Sequence, residues 1–358
     1  MNLSELSNEE LAAQLMVIGF DGTRVNDHLA AWLKRGVGGV ILFRRNVGSP
    51  EEILALCREI HERARLSPPI ISIDQEPGLI VRLRAPFTEW PGAAALGATG
   101  DEKLIEEVGA AIARELKAVG INTDWAPVAD VHSNPKNPII GPRAFATSPE
   151  EAGRLSRAFI RGMQGADVAA CAKHFPGHGD TATDSHISLP VVKRARNEIE
   201  ATELPPFAAC AAEHVASMMS AHVLYPEIDP ENPATISPAI ITGILREKLG
   251  YDGVVVTDDL AMAGIAAGRR HEQIAVDSVR AGCDILLAGQ DFPNQERYLR
   301  GVANAVESGA LSRERVEQSV ARILALKEKF VAIPPESVPE DVIGCAAHQA
   351  LAARASAV

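Results

Sequence analysis

The stretch KHFPGHGDTATDSHISLP, Lys173 to Pro190, gathers His174, His178 and His186 with Asp180 and Asp184 inside eighteen residues. Residues of these types can hold a metal, move a proton, or simply solvate a loop. Barrel metallohydrolases of the amidohydrolase type want an HxH pair after the first strand and further His and Asp ligands on later strands. Here the first candidate strand runs into VIGFDGT, with no histidine. The three histidines are spaced as a helix would align them, but FPGHG carries a proline and two glycines, which break a helix. No metal is expected. Proton transfer fits better. Asp184 stands two residues before His186, so in an extended loop both side chains can project to one side. A carboxylate there fixes the imidazole tautomer and tunes its pKa near neutrality, as a general acid/base requires. The loop taken alone does not separate this from a polar surface loop.

The elements that must position such residues are legible as apolar, β-rich runs: LMVIGF, GGVILF, PIISID, INTDWAPV, VAACAKHF, ASMMSAHV, GVVVTDDL and CDILLAG. Between the later runs the spacing predicts helices over Lys103–Lys117, Pro149–Gln164, Glu198–His214, Pro238–Lys248 and His271–Ala281, then over Asn294–Glu307 and Ser312–Lys329. Continuous apolar strands alternating with helices predict a parallel sheet covered by helices. Eight such units, with no GxGxxG after the first strand, favour a single (β/α)8 barrel over a doubly wound sheet. The expected organisation is a barrel over residues 1–331 and a short helical or extended C-terminal tail over 332–358, opened by IPPESVPEDV.

In a barrel the chemistry sits where strands end. The third run ends in Asp74, the fourth passes Asp124 toward Asp130, the fifth ends in Lys173 and His174, the sixth in His222, and the seventh in Asp258 and Asp259. Any one of these could be a helix cap or a satisfied buried group; polar ends on so many runs argue for a site. Along GVVVTDDL, alternation places Asp258 on the side of Val256 and Val254 and Asp259 on the other, so one is expected to enter the barrel mouth while the other caps the next helix.

Composition sets the class of partner. Of 358 residues, 46% are hydrophobic and 23% charged, ordinary for a globular chain with a sizeable core. A net charge of −12 disfavours nucleic acid and anionic membranes as partners. The N-terminal MNLSELSNEELAAQLMVIGF carries glutamates where a signal peptide has basic residues, which predicts a cytoplasmic protein. The five cysteines are widely spaced and read as thiols rather than disulfides.

DQE at Asp74–Glu76 with Arg82 downstream, PRAF with Arg143, KHFPGHGDTATDSH and VVTDDLAM together resemble the glycoside hydrolases of family 3. The resemblance runs from about Leu11 to Lys329 and is nearest to the short, cytoplasmic β-N-acetylglucosaminidases of bacterial peptidoglycan recycling. It implies that Asp258 is the nucleophile and His186 the acid/base, oriented by Asp184. Asp74, Arg82, Arg143, Lys173 and His174 match residues that hold the terminal sugar. It further implies a covalent glycosyl-aspartate intermediate, no cofactor, a monomer, and a small GlcNAc-containing muropeptide as substrate. The enzyme alternative within the family is a phosphorylase, because a histidine acid/base is compatible with phosphate as acceptor. A catalytically inactive sugar-binding barrel is the non-enzymatic alternative, against which Asp258 and the Asp184–His186 pair stand together. Two departures bear on the site. Where the family usually reads Gly-Gly-Arg after DQE, this sequence has Pro77, Gly78 and Leu79, on the loop that presents Arg82. Lys173 and His174 are adjacent, so both can serve one site only if the strand end departs from alternation.

Overall fold

The apolar runs form eight short, almost wholly buried parallel strands: β1 (Met16–Ile18), β2 (Gly39–Leu42), β3 (Ile70–Ile73), β4 (Thr123–Asp124), β5 (Cys171–Phe175), β6 (Ser217–Ser220), β7 (Val254–Thr257) and β8 (Leu286–Ala288). This computed structural model describes every residue except Asp184, His186, Ile187, Asp291 and Val358. The α-helices in chain order are α1 (Asn8–Gln14), α2 (Asp27–Arg35), α3 (Pro50–Arg63), α4 (Ala93–Ala98), α5 (Glu102–Ala118), α6 (Pro149–Gly165), α7 (Arg196–Thr202), α8 (Leu204–Ala212), α9 (Ala263–Ala266), α10 (His271–Ala281), α11 (Phe292–Glu307), α12 (Arg313–Phe330) and α13 (Ala346–Ser356).

The strands lie in two parallel sheets, ordered β4-β3-β2-β1-β8 and β5-β6-β7. Single parallel bridges connect them. Thr123 pairs with Ala169 and Val128 with Lys173 between the β4 and β5 segments, and Val256 pairs with Ile285 beside β8. Both faces of the sheets are covered, so the strands carry residues such as Val40, Ile71, Met218 and Val255 with no solvent exposure to speak of.

Most helix expectations agree to within a residue or two. One does not. The stretch from Glu198 to His214 is two helices, α7 and α8, because Pro205 and Pro206 open the second and are tolerated only in a first turn. The stretch Ala239–Lys248 winds as a wider π-type helix rather than an α-helix. Helix starts elsewhere follow local chemistry: Ser7 and Ser49 each form a capping box with a glutamate three residues on. Beyond α12 the chain turns back, and α13 packs against α4 and α5. No helix among the described residues is long and apolar enough to cross a membrane. Four of the cysteines are buried free thiols, and Cys345 is partly exposed and also free.

Candidate active site

A cavity of about 340 Å³ opens at the C-terminal ends of the strands. It is lined by Asp74, Glu76, Arg82, Arg143, Lys173, His174, His178, Ser185, Asp258 and Asp259, with Phe43, Ile80, Ile139, Met219 and Met262 as apolar walls. A larger hollow of about 680 Å³ between α5, α6 and α13 is bordered instead by surface ion pairs such as Arg161–Glu106 and Arg354–Glu107, a solvated face.

The floor is a network of charge-assisted hydrogen bonds. Arg143 grips Glu76 bidentately, Nε to Oε2 at 2.9 Å and Nη2 to Oε1 at 2.8 Å. Lys173 Nζ reaches Glu76 Oε1 at 2.8 Å and Asp74 Oδ1 at 3.1 Å. Arg82 Nη2 donates to Asp74 Oδ2 at 3.1 Å. Burial would raise the Glu76 carboxyl, but Lys173 and Arg143 outweigh it and hold it down near about 2. Burial pulls Lys173 and Arg143 down, yet Glu76 and Asp74 lift both above their ordinary values. All three groups are therefore ionised. Among the described residues the buried Arg82 Nε has no hydrogen-bond partner. Beneath the floor, fully buried Asp124 accepts the Gln75 N–H at 2.9 Å, and burial followed by its acidic neighbours raises it to about 8.

Lys173 and His174 both line the cavity despite being adjacent. The register of β5 against β6 shifts between Lys173 and Phe175, so simple alternation does not apply there. Asp130 holds the far side of this strand end. It accepts His174 Nδ1 at 2.8 Å, the His174 N–H at 3.1 Å and the His178 N–H at 2.7 Å. A carboxylate acceptor places a ring hydrogen of His174 on Nδ1.

Asp258 is partly buried at the end of β7. Burial would raise its carboxyl, but His174 and His222, the Asp259 N–H at 2.8 Å and Lys173 hold it below the usual carboxylate range. Asp259 shifts the opposite way, to about 6, through burial and the Asp258 charge. The expectation that only one of the pair reaches the mouth is corrected here: both line the cavity, because β7 ends at Thr257 and alternation ends with it. Asp259 also serves the turn, accepting the Ala261 N–H at 3.0 Å and an N–H from Gly289.

Asp184 and His186 lie outside the described residues. Between them Ser185 is buried; its Oγ lies 3.2 Å from His178 Nε2 and its carbonyl accepts the Gly264 N–H at 2.9 Å. Burial, then the neighbouring His174, pushes His178 down to about 4, so it is a neutral bridge rather than an acid. Among the described residues no group of three or more His, Cys, Asp or Glu is arranged to hold a metal. Glu76 and His178 were quoted in the sequence motifs but assigned no role in the site. Glu76 stands two residues after Asp74, the same-side spacing of an extended segment, and that signal was present in DQE.

Residues 7–326 match the glycosyl hydrolase family 3 N terminal domain. The chain belongs to this family of glycoside hydrolases. It is 37% identical over 320 residues to beta-hexosaminidase A of Pseudoalteromonas piscicida, a match covering 82% of this chain and only 54%, about half, of that relative's length. The fold is similar to that of a family 3 beta-N-acetylglucosaminidase from Paenibacillus sp. str. FPU-7, with a TM-score of 0.95 and 41% identity, covering 98% of this chain and 68% of that one. It is also similar to NagZ from Neisseria gonorrhoeae, solved in complex with N-trifluoroacetyl-D-glucosamine, with a TM-score of 0.80, 32% identity, and coverage of 96% and 97%.

Proposed function

We propose that this chain is a retaining exo-β-N-acetylglucosaminidase that removes terminal β-linked GlcNAc, from GlcNAc-anhydroMurNAc fragments and their peptides in cell-wall recycling. The observation that carries the reading is an ionised Asp258 facing one cavity with Asp74, Arg82, Arg143, Lys173 and His174. Charged side chains paired with one another present fixed donors and acceptors to the hydroxyls of a neutral sugar. Asp258, with one oxygen held by the Asp259 N–H, attacks the anomeric carbon and forms the glycosyl-aspartate; His186, oriented by Asp184, protonates the leaving oxygen and then activates water. In this reading the two sheets act as one (β/α)8 barrel over 1–331, a closure favoured by the bridges beside β5 and β8, with 332–358 as its tail. The reading further takes the protein as cytoplasmic, monomeric and free of cofactor.

The test is turnover of a panel of nitrophenyl glycosides with and without phosphate. β-GlcNAc is expected to be the preferred sugar, released as free GlcNAc at a rate phosphate does not change. Formation of GlcNAc-1-phosphate would transfer the protein to the phosphorylase alternative, and indifference to the N-acetyl group would overturn the substrate. His186→Ala is expected to slow hydrolysis of poor leaving groups by about 10²- to 10⁴-fold while sparing the first step on nitrophenolate. The check is a burst of nitrophenolate followed by an accumulated glycosyl-enzyme; equal loss on all leaving groups, with no burst, removes His186 from the role.

A further inference from the structure

The stretch carrying Arg82 is clamped at two ends. At the inner end Gln75 Oε1 accepts the Arg82 and Leu83 N–H groups at 2.9 and 3.0 Å, and Gln75 Nε2 donates to the Leu83 carbonyl at 3.0 Å. At the outer end Thr88 donates its N–H and its hydroxyl to Glu115 at 3.0 and 2.6 Å. Glu115 is a carboxylate on α5 with only 3% exposure. Its Oε1 also takes the Gly344 N–H at 3.0 Å and His348 Nδ1 at 2.9 Å. Half of its hydrogen bonds thus come from the C-terminal segment, and a buried carboxylate left short of partners costs free energy.

The contact extends past this hub. The His348 ring lies 6.3 Å from that of Trp90. Gly344 has φ +58°, and a Cβ there would come within 2.1 Å of the Pro86 carbonyl. Only glycine fits both the backbone and the space. Among the described residues, the segment after residue 332 supplies none of the cavity's lining, yet it packs over the backbone between Arg82 and α4.

We propose that the C-terminal segment is a positioning element for the substrate cavity, with His348 as its positioning residue: through Glu115 and Thr88 it holds the 82–90 stretch, and with it the Arg82 guanidinium on Asp74. The kinetic part rests on the reading of the cavity as a sugar site. His348→Ala and Gly344→Val are expected to raise KM for nitrophenyl β-GlcNAc about tenfold, the effect of one lost buried hydrogen bond, and to change kcat less than about threefold. His348→Asn, whose amide nitrogen can stand in the place of Nδ1, restores KM. In an Arg82→Ala background His348→Ala adds nothing further, since both act through one group. An unchanged KM, or additive effects with Arg82→Ala, overturns the proposal.

Amide hydrogen exchange reads the same coupling without substrate. His348→Ala is expected to speed exchange at Arg82, Leu83 and Thr88 and to leave the amides of β1 and β7 unchanged. Acceleration spread over the whole chain, or none at 82–88, sinks the positioning role whatever the enzyme turns over. Local acceleration in a protein that hydrolyses no β-GlcNAc keeps the positioning role and removes the sugar reading instead.

Discussion

Asp258→Asn is expected to lower turnover of a β-GlcNAc glycoside by about 10⁴-fold, the scale of losing a nucleophile whose partners remain in place. A slow 2-fluoro glycosyl donor should label wild-type protein at Asp258. Asp258 is held below the usual carboxylate range, and among the described residues its carboxylate accepts the Asp259 N–H on Oδ1. Asp259 is the fair objection. It lines the same cavity, and its carboxyl near 6 could assist a substrate that attacks itself through its acetamide oxygen. Yet that carboxyl accepts backbone N–H groups from Ala261 and Gly289, which commits it to shaping the turn after β7. Asp259→Asn keeps an acceptor for one of them and is expected to retain activity within about a hundredfold of wild type. Peptide mapping of the labelled protein decides between the two. A label on Asp259, or no label together with potent inhibition by a thiazoline mimic of the cyclised acetamide, means the substrate supplies its own nucleophile.

How far the sequence reached depends on what each residue's role requires. Strand positions were legible because a strand buried on both faces has to be apolar, and a polar residue at the end of such a run is conspicuous; Asp74, Lys173 and His174 were found in that way and do line one cavity. The pairings that relate β5 to β4 and β7 to β8 leave no mark of this kind: the bridging residues all sit in runs that read as strands, but which run pairs with which, and in what register, is set by backbone contacts that the apolar pattern does not encode. Alternation misplaced Asp259 because it describes a strand, and β7 stops one residue before the aspartate pair. The break between α7 and α8 was written in Leu204-Pro205-Pro206, a helix-start signal overridden by the apolar period around it. Glu115 and His348 stand 233 residues apart in sequence, and nothing local to either announces the bond between them. Asp184 and His186 rest on their two-residue spacing and on the family resemblance, and both lie outside the described residues.

Glu76 is the residue whose removal should cost the fold most. It is 3% exposed and joins the two cations of the cavity floor, taking both Arg143 nitrogens and Lys173 Nζ. With Glu76→Ala, among the described residues Lys173 keeps Asp74 and Arg143 keeps the Ile139 carbonyl at 3.2 Å, so two buried cations lose their shared counter-charge. Breaking one partner out of a buried ion pair costs about 3–5 kcal/mol, and that range is expected in urea unfolding at pH 7. Glu76→Gln isolates the charge from the shape. The folded carboxyl, near 2, lies below its unfolded value near 4.5, so its stabilisation is complete above pH 4.5 and is lost as pH falls through 2. The stability gap between wild type and Glu76→Gln should therefore be constant from pH 5 to 8 and narrow progressively below pH 4.5. KM should rise with either substitution, because the Lys173 and Arg143 donors lose the partner that orients them. A gap under about 1 kcal/mol at pH 7, or one of equal size at pH 7 and pH 3, would show that Lys173 and Arg143 find other counter-charges in the cavity and that Glu76 is not what fixes them.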